Sequence, residues 1–316
     1  MNEVINVGFI GNPNCGKTTL FNAFTGAKLK VANWPGVTVE KKEGFMKYHS
    51  HQFKLVDLPG IYSLTSYTME EQLSRTYILE DEVDVIVDVA DASSLEKNLY
   101  LTLQLIELGK PVVMALNMMD IVEERGMEID LHRLPEMLGI PVIPVSARKN
   151  TGLNVLMHAV AHHKGRVADK TEHHHDHGTQ THHPHNHHEE YALVYSDLIE
   201  DKIDAITEII KQQYPEMINY RWHAIKYLEQ DAEIIEKYPA NLQKIVDRNY
   251  ESDIIREKYD FIEEIIEEVL VNKEIKSKTT DKVDRIFTHP ILGVPVFFGI
   301  MAIVFLLTFT VGDFLK

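Results

Sequence analysis

Cysteine is nearly absent from this 316-residue chain. Cys15 stands alone, so no internal disulfide can staple the fold, and a single thiol fits a reducing compartment. A basic surplus is missing as well: the formal charge is −16, which argues against the cationic face that a nucleic-acid partner needs. No signal-peptide pattern opens the chain, because strand-like sequence begins by Val4. Long uncharged apolar runs are lacking too, apart from one near the C-terminus. The acidity is local, since Glu189 to Asn272 holds 21 Asp and Glu against 9 Lys and Arg. A chain of this length can hold two domains, each with its own core.

What the sequence does contain is organised around residues 11–18, Gly11-Asn12-Pro13-Asn14-Cys15-Gly16-Lys17-Thr18, the phosphate-loop pattern G-x-x-x-x-G-K-[ST]. An apolar strand-like run, Val4–Ile10, precedes it, and Thr19–Phe24 reads as the start of a helix. The two glycines let backbone N–H groups turn toward phosphate oxygens, and the helix N-terminus adds its positive dipole end. Lys17 would reach the β- and γ-phosphates, and the Thr18 hydroxyl would bind Mg²⁺.

The following residues supply the rest of a nucleotide switch. Lys28–Gly44 reads as a loop holding Asn33, Trp34, Gly36 and Val37, with Thr38 placed to offer a second hydroxyl to Mg²⁺ and its N–H to the γ-phosphate. Strands around Gly44–Tyr48 and Phe53–Val56 lead into Asp57-Leu58-Pro59-Gly60, an acid for Mg²⁺ followed by a glycine whose N–H would sense the γ-phosphate. Val83–Val89 and Pro111–Leu116 read as strands buried on both faces, with the helix Leu95–Leu108 between them. Asn117-Met118-Met119-Asp120 closes the second of these strands. An Asp there accepts from the N1–H and exocyclic amine of guanine, a donor pair that adenine lacks. After a helix at Leu131–Leu138 and a strand at Pro141–Pro144, Ser146-Ala147-Arg148 would contact the guanine carbonyl through the backbone, and Gly152–His162 reads as a closing helix. Alternating strands and helices predict a doubly wound, mostly parallel α/β sheet with its ligand at the strand C-terminal ends.

All five motifs resemble, in order and spacing, those of the small GTP-binding proteins. Within that superfamily the chain resembles the ferrous iron transport protein B family, through Gly-Asn-Pro-Asn-x-Gly-Lys-Thr18-Thr19, Asn33-Trp34-Pro35-Gly36-Val37-Thr38-Val39-Glu40, Asp57–Tyr62 and Asp284–Gly293. The resemblance implies a P-loop GTPase domain, a helical domain that slows GDP release, and entry into a first transmembrane helix. It further implies GTP and GDP as ligands with Mg²⁺, ferrous iron as cargo, small cytosolic accessory proteins and a homo-oligomer as partners, and a bacterial or archaeal cell membrane as the location. It also implies K⁺ held by Asn14 with backbone carbonyls near Asn33 and Trp34. Two departures from the general GTPase pattern matter. Met118 replaces a frequent Lys, keeping the packing and losing the charge, which weakens binding. Ile61 stands where signalling GTPases place a water-orienting Gln, so intrinsic hydrolysis should be slow.

Nine of the sixteen residues from 173 to 188 are histidine: His173, His174, His175, His177, His182, His183, His185, His187 and His188. Imidazoles at this density bind transition metals, and an inert linker is the other reading. Residues 191–271 read as helical, with isoleucine stripes at Ile199–Ile210 and Ile254–Ile266 and the solvated acids Glu263, Glu264, Glu267 and Glu268 beside the second. Ile291–Val311 is 21 residues without a charge, preceded by Lys273, Lys276, Lys278, Lys282 and Arg285. About 20 apolar residues span a bilayer, so this run reads as a transmembrane helix with the N-terminal mass cytoplasmic. One span makes no pore, so the sequence reads as a piece of a longer transporter. The expected divisions are a GTPase domain over 1–165, a histidine-rich linker over 166–190, a helical domain over 191–275, a juxtamembrane linker over 276–290 and the span at 291–311. A stand-alone membrane-anchored regulatory GTPase and a histidine-rich metal sensor are the alternatives.

Overall fold

The computed structural model describes residues 4–26, 29–34, 37–65, 67–79, 83–164 and 192–271, and eight positions between 295 and 308. The histidine-rich tract lies outside the described residues, as do Pro35, Gly36 and most of the apolar run at 291–311. No helix among the described residues is long and apolar enough to cross a membrane.

The chain alternates strand and helix through its first half. In order come β1 (Val4–Gly11), α1 (Lys17–Thr25), β2 (Leu29–Asn33), β3 (Glu40–Tyr48), β4 (His51–Asp57), α2 (Met69–Leu79), β5 (Val85–Asp91), α3 (Leu95–Glu107), β6 (Val112–Asn117), α4 (Met119–Glu124), α5 (Arg133–Leu138), β7 (Val142–Pro144) and α6 (Leu153–His163). The strands form one sheet in the order β2-β3-β4-β1-β5-β6-β7. β1 lies at its centre, parallel to β4 and β5, and β6 and β7 continue the parallel run. Only β2–β3 and β3–β4 are antiparallel.

Alternation along the strands fills two layers. Ile5, Val7 and Phe9 with Val85, Val87 and Val89 face Leu20 and Phe21 of α1 and Leu156, Met157 and Val160 of α6. Ile10, Ile86, Ala90, Met114 and Leu116 face the other way, toward Leu99 and Leu103 of α3. Both faces are covered, which is why the central strands read as continuous apolar runs.

The reading of 28–44 as loop is corrected at both ends, because β2 occupies its start and β3 begins at Glu40. Leu29–Asn33 is a strand in register with Glu40–Gly44, pairing Leu29 with Gly44 and Asn33 with Glu40. It is an edge strand, exposed over most of its length, so it lacks the apolar alternation that identifies a half-buried one.

Four helices follow: α7 (Asp197–Gln213), α8 (Tyr220–Leu228), α9 (Ala232–Lys237) and α10 (Glu251–Val269). The two isoleucine stripes are their buried faces, Ile199, Ile203, Ile206 and Ile210 on α7 and Ile254, Ile262, Ile265 and Ile266 on α10. Each such side chain contributes about 1.5–3 kcal/mol on burial. These residues join the same apolar cluster as the α3 face of the sheet, so the two units share one continuous core layer. A polar seam reinforces it: Lys258, fully buried, pairs with Glu107 at 2.8 Å, and the Tyr195 hydroxyl donates to the same carboxylate.

Candidate functional site

The C-terminal ends of β1, β4, β6 and β7 converge on one end of the sheet and carry the motif residues there. The loop after β1 is closely supported. Gly16 has φ +83°, and a Cβ on it would stand 2.4 Å from the Asn117 side-chain nitrogen. A Cβ on Gly11 would meet the Val89 carbonyl oxygen at 2.3 Å. Neither position admits a larger residue without displacing backbone or the Asn117 amide.

Lys17 Nζ pairs with Asp57 Oδ1 at the end of β4, both side chains buried, and Thr18 Oγ1 lies 3.4 Å from Asp57 Oδ2. The loop after Asp57 is held to β1: Leu58 N–H donates to Phe9 O at 2.9 Å and Ile61 N–H to Gly11 O at 3.2 Å. Pro59 and Gly60 lie between them, half-buried, and Gly60 comes within 3.4 Å of the Pro13 backbone when given a Cβ. Ile61 is buried in the core, so its side chain points away from the loop. Asn14, Thr18 and Thr19 are exposed, as is Thr38, and Asn14 takes a positive φ of 68°. Cys15 is buried, and burial pushes its thiol up to about 12, so it is packing rather than a nucleophile. The Asn12 amide donates to Lys97 O at 2.8 Å, tying the loop to α3.

Asn117 clamps three segments. Its amide nitrogen donates to Cys15 O at 2.9 Å, and its oxygen accepts from Ala147 N–H at 3.0 Å. Met118 holds a left-handed φ of 63°, and its methyl lies 3.6 Å from where a Cβ on Gly16 would stand. Asp120 is 4 % exposed; Ser146 Oγ donates to its Oδ1 at 2.8 Å, while its Oδ2 is buried without a hydrogen bond. Arg148, an exposed side chain, comes within 4.0 Å of Oδ2. A buried carboxylate oxygen without a donor costs stability, and two N–H groups on the edge of a purine ring would satisfy it.

The switch loop before β3 is anchored by Trp34. Its N–H donates to Val39 O at 2.9 Å, its carbonyl accepts from Val37 N–H at 3.2 Å, and its ring stacks edge-on against Tyr77 of α2 at 5.2 Å. Lys41 Nζ lies 4.7 Å above the same ring.

Three features escaped the sequence reading. Helix α2 was not expected, although Thr68-x-x-Glu71 carries a capping-box signature: Glu71 N–H donates to Thr68 Oγ1 and the Glu71 carboxylate accepts from Thr68 N–H, both at 3.2 Å. That carboxylate also accepts from Thr65 Oγ1 at 2.7 Å and Ser63 Oγ at 3.3 Å, fixing the loop after Gly60. The third is Arg75 of α2, 1 % exposed, whose Nη1 meets Asp231 Oδ2 at 2.6 Å across to the helical unit. No pattern in the sequence pairs residues this far apart.

Residues 5–160 match the family described as Ferrous iron transport protein B, and residues 195–271 match the FeoB cytosolic helical domain. The chain is 38 % identical to an Fe(2+) transport protein A/Fe(2+) transporter FeoB fusion protein of Porphyromonas gingivalis and 36 % identical to the Fe(2+) transporter FeoB of Shigella flexneri. Each likeness covers 99 % of this chain, which spans only 38 % and 39 % of the length of those relatives. Among solved structures, a GDP-bound variant of the S. thermophilus FeoB G-domain superposes with a TM-score of 0.71 at 35 % identity, covering 84 % of this chain and 99 % of that one. Fold, motif positions and relatives agree: the chain belongs to the ferrous iron transport protein B family, and it carries that family's P-loop GTPase fold followed by its helical domain.

Proposed function

We propose that this chain binds and hydrolyses GTP as the cytosolic module of a ferrous iron transporter in a bacterial or archaeal cell membrane, where the nucleotide cycle gates or drives uptake. The observation that carries the guanine assignment is Asp120: buried, oriented by Ser146, with one carboxylate oxygen left for a ligand's N–H pair. Ala147 N–H and the Asn117 amide complete the base pocket, with Met118 packing beside it.

The phosphate end is read the same way. Backbone N–H groups of Asn14 and of residues 16–19 receive the phosphates, and the Lys17 ammonium meets the β- and γ-oxygens. The Lys17–Asp57 pair holds in place the two charges that a phosphate chain and a divalent ion would engage separately. Thr18, Thr38 and Asp57 form an all-oxygen donor set suited to Mg²⁺, which when bound neutralises charge on the phosphates. Thr38 and Gly60 then sense the γ-phosphate through their backbone N–H groups, in the loops that also hold Gly36, Val37, Leu58 and Pro59.

Ile61 cannot orient water from inside the core, and no Arg is placed by the motifs as a finger. Stabilisation of the charge between the β- and γ-phosphates therefore falls to K⁺, held by the Asn14 side chain and carbonyls at Asn33 and Trp34. The left-handed, exposed Asn14 supports this, since nothing buries the amide away from the loop. Steady-state hydrolysis in K⁺ against Na⁺ at equal ionic strength tests it. Wild type should be stimulated by K⁺ and Asn14→Ala should lose the stimulation; a wild-type rate indifferent to the ion would remove K⁺ from the account.

A further inference from the structure

Helix α6 presses Leu156, Met157 and Val160 onto the sheet face opposite the one that the helical unit covers. Its geometry then turns positions 158 and 162 outward, and both are histidine and exposed. They lie one turn apart, at i and i+4, and their ring centroids are 4.3 Å apart with the planes tilted by 41°. His163, the next residue, is on the buried side of the helix, and Lys164 pairs with Asp84 at 3.5 Å. Two imidazoles at i and i+4 on one helix face can share a metal ion, because the spacing matches one helical turn. Each would bind through a ring nitrogen at about 2.0–2.1 Å.

We infer that His158 and His162 form a binding site for one divalent transition-metal ion, separate from the nucleotide pocket and from residues 173–188. Two protein ligands do not close a coordination sphere. Among the described residues no group of three or more His, Cys, Asp or Glu is assembled to hold a metal, so water completes the sphere. Such a site is open and exchangeable rather than structural. Imidazole ligands order the ions: Cu²⁺ binds most tightly, Ni²⁺ and Zn²⁺ next, and Fe²⁺ more weakly. An ion here clips the last turns of α6, whose first turn follows the Ser146–Thr151 bridge of the base loop.

The test uses the full chain with the nine tract histidines replaced by Asn, so that only the helical pair and scattered histidines are left. Ni²⁺ alone is titrated calorimetrically, and Cu²⁺ alone is added at one equivalent for electron paramagnetic resonance. The site predicts one ion per chain, a Cu²⁺ spectrum with nitrogen splitting from two imidazoles, and loss of both in His158→Ala and in His162→Ala. Both side chains are exposed, so circular dichroism of the two variants should match the parent. Absence of stoichiometric binding in the tract-substituted chain, or binding that survives the double substitution, would overturn the site.

Discussion

Asp88 carries an ionisable group into the interior of β5, where it is 2 % exposed and accepts a hydrogen bond from the Thr102 hydroxyl at 2.6 Å. Burial pushes its carboxyl up to about 7, with the Thr102 bond pulling the other way. A carboxyl raised in the folded state favours folding fully below its unfolded value, and that contribution is lost as pH rises from about 4 to about 7. Asp88→Asn keeps the shape and still accepts from Thr102. It should match wild type near pH 4 and exceed it by on the order of a few kcal/mol at about pH 8. Thermal melts at the two pH values decide it, since an equal gain at both would mean that charge is not the cause. The sequence shows Asp88 only as one acid inside an apolar strand; which face it takes, and that α3 places a hydroxyl there, needed the packing.

Helix α2 links the nucleotide end to the helical unit. Its start is set by Glu71 and the loop after Gly60, its middle packs Tyr77 on Trp34, and Arg75 reaches Asp231. Burial raises the Asp231 carboxyl, but the Arg75 guanidinium outweighs this and holds it below the ordinary value. The sign is therefore the usual acid one: the pair stabilises above about pH 4 and its contribution is lost as pH falls below that. Arg75→Ala leaves a nearly buried carboxylate unpaired and should destabilise the fold by about 3–5 kcal/mol at neutral pH, read by denaturant unfolding. If the family's helical domain slows GDP release through this helix, the same variant should also release GDP faster; unchanged release would confine Arg75 to stability. The motifs before and after α2 were legible because ligand chemistry fixes their residue types. α2, β2 and the short helix α4 were not, since each is placed by tertiary contacts rather than by its own periodicity.

At the scale of the molecule, the parallel sheet, its site end and the two long isoleucine faces could be read from the sequence, whereas the shared core between sheet and helices could not. Patterning shows that α7 and α10 bury one face each but not what they bury it against. The histidine tract follows α6 in the chain and lies outside the described residues; its histidine-rich composition predicts no structural role at the nucleotide loops. Excising residues 173–188 should leave the GTP hydrolysis rate unchanged while lowering the number of Ni²⁺ ions bound; a large fall in rate would tie the tract to the switch. The central claim, a guanine-specific site built on Asp120, is tested most directly by displacement titration of a labelled nucleotide with GTP, ATP and xanthosine triphosphate. Wild type should prefer GTP strongly over ATP. In Asp120→Asn, loss of the charge-assisted bonds costs about 2–4 kcal/mol, so GTP should weaken by at least roughly tenfold and the preference should pass to xanthosine triphosphate. Equal binding of GTP and ATP by wild type would contradict the account.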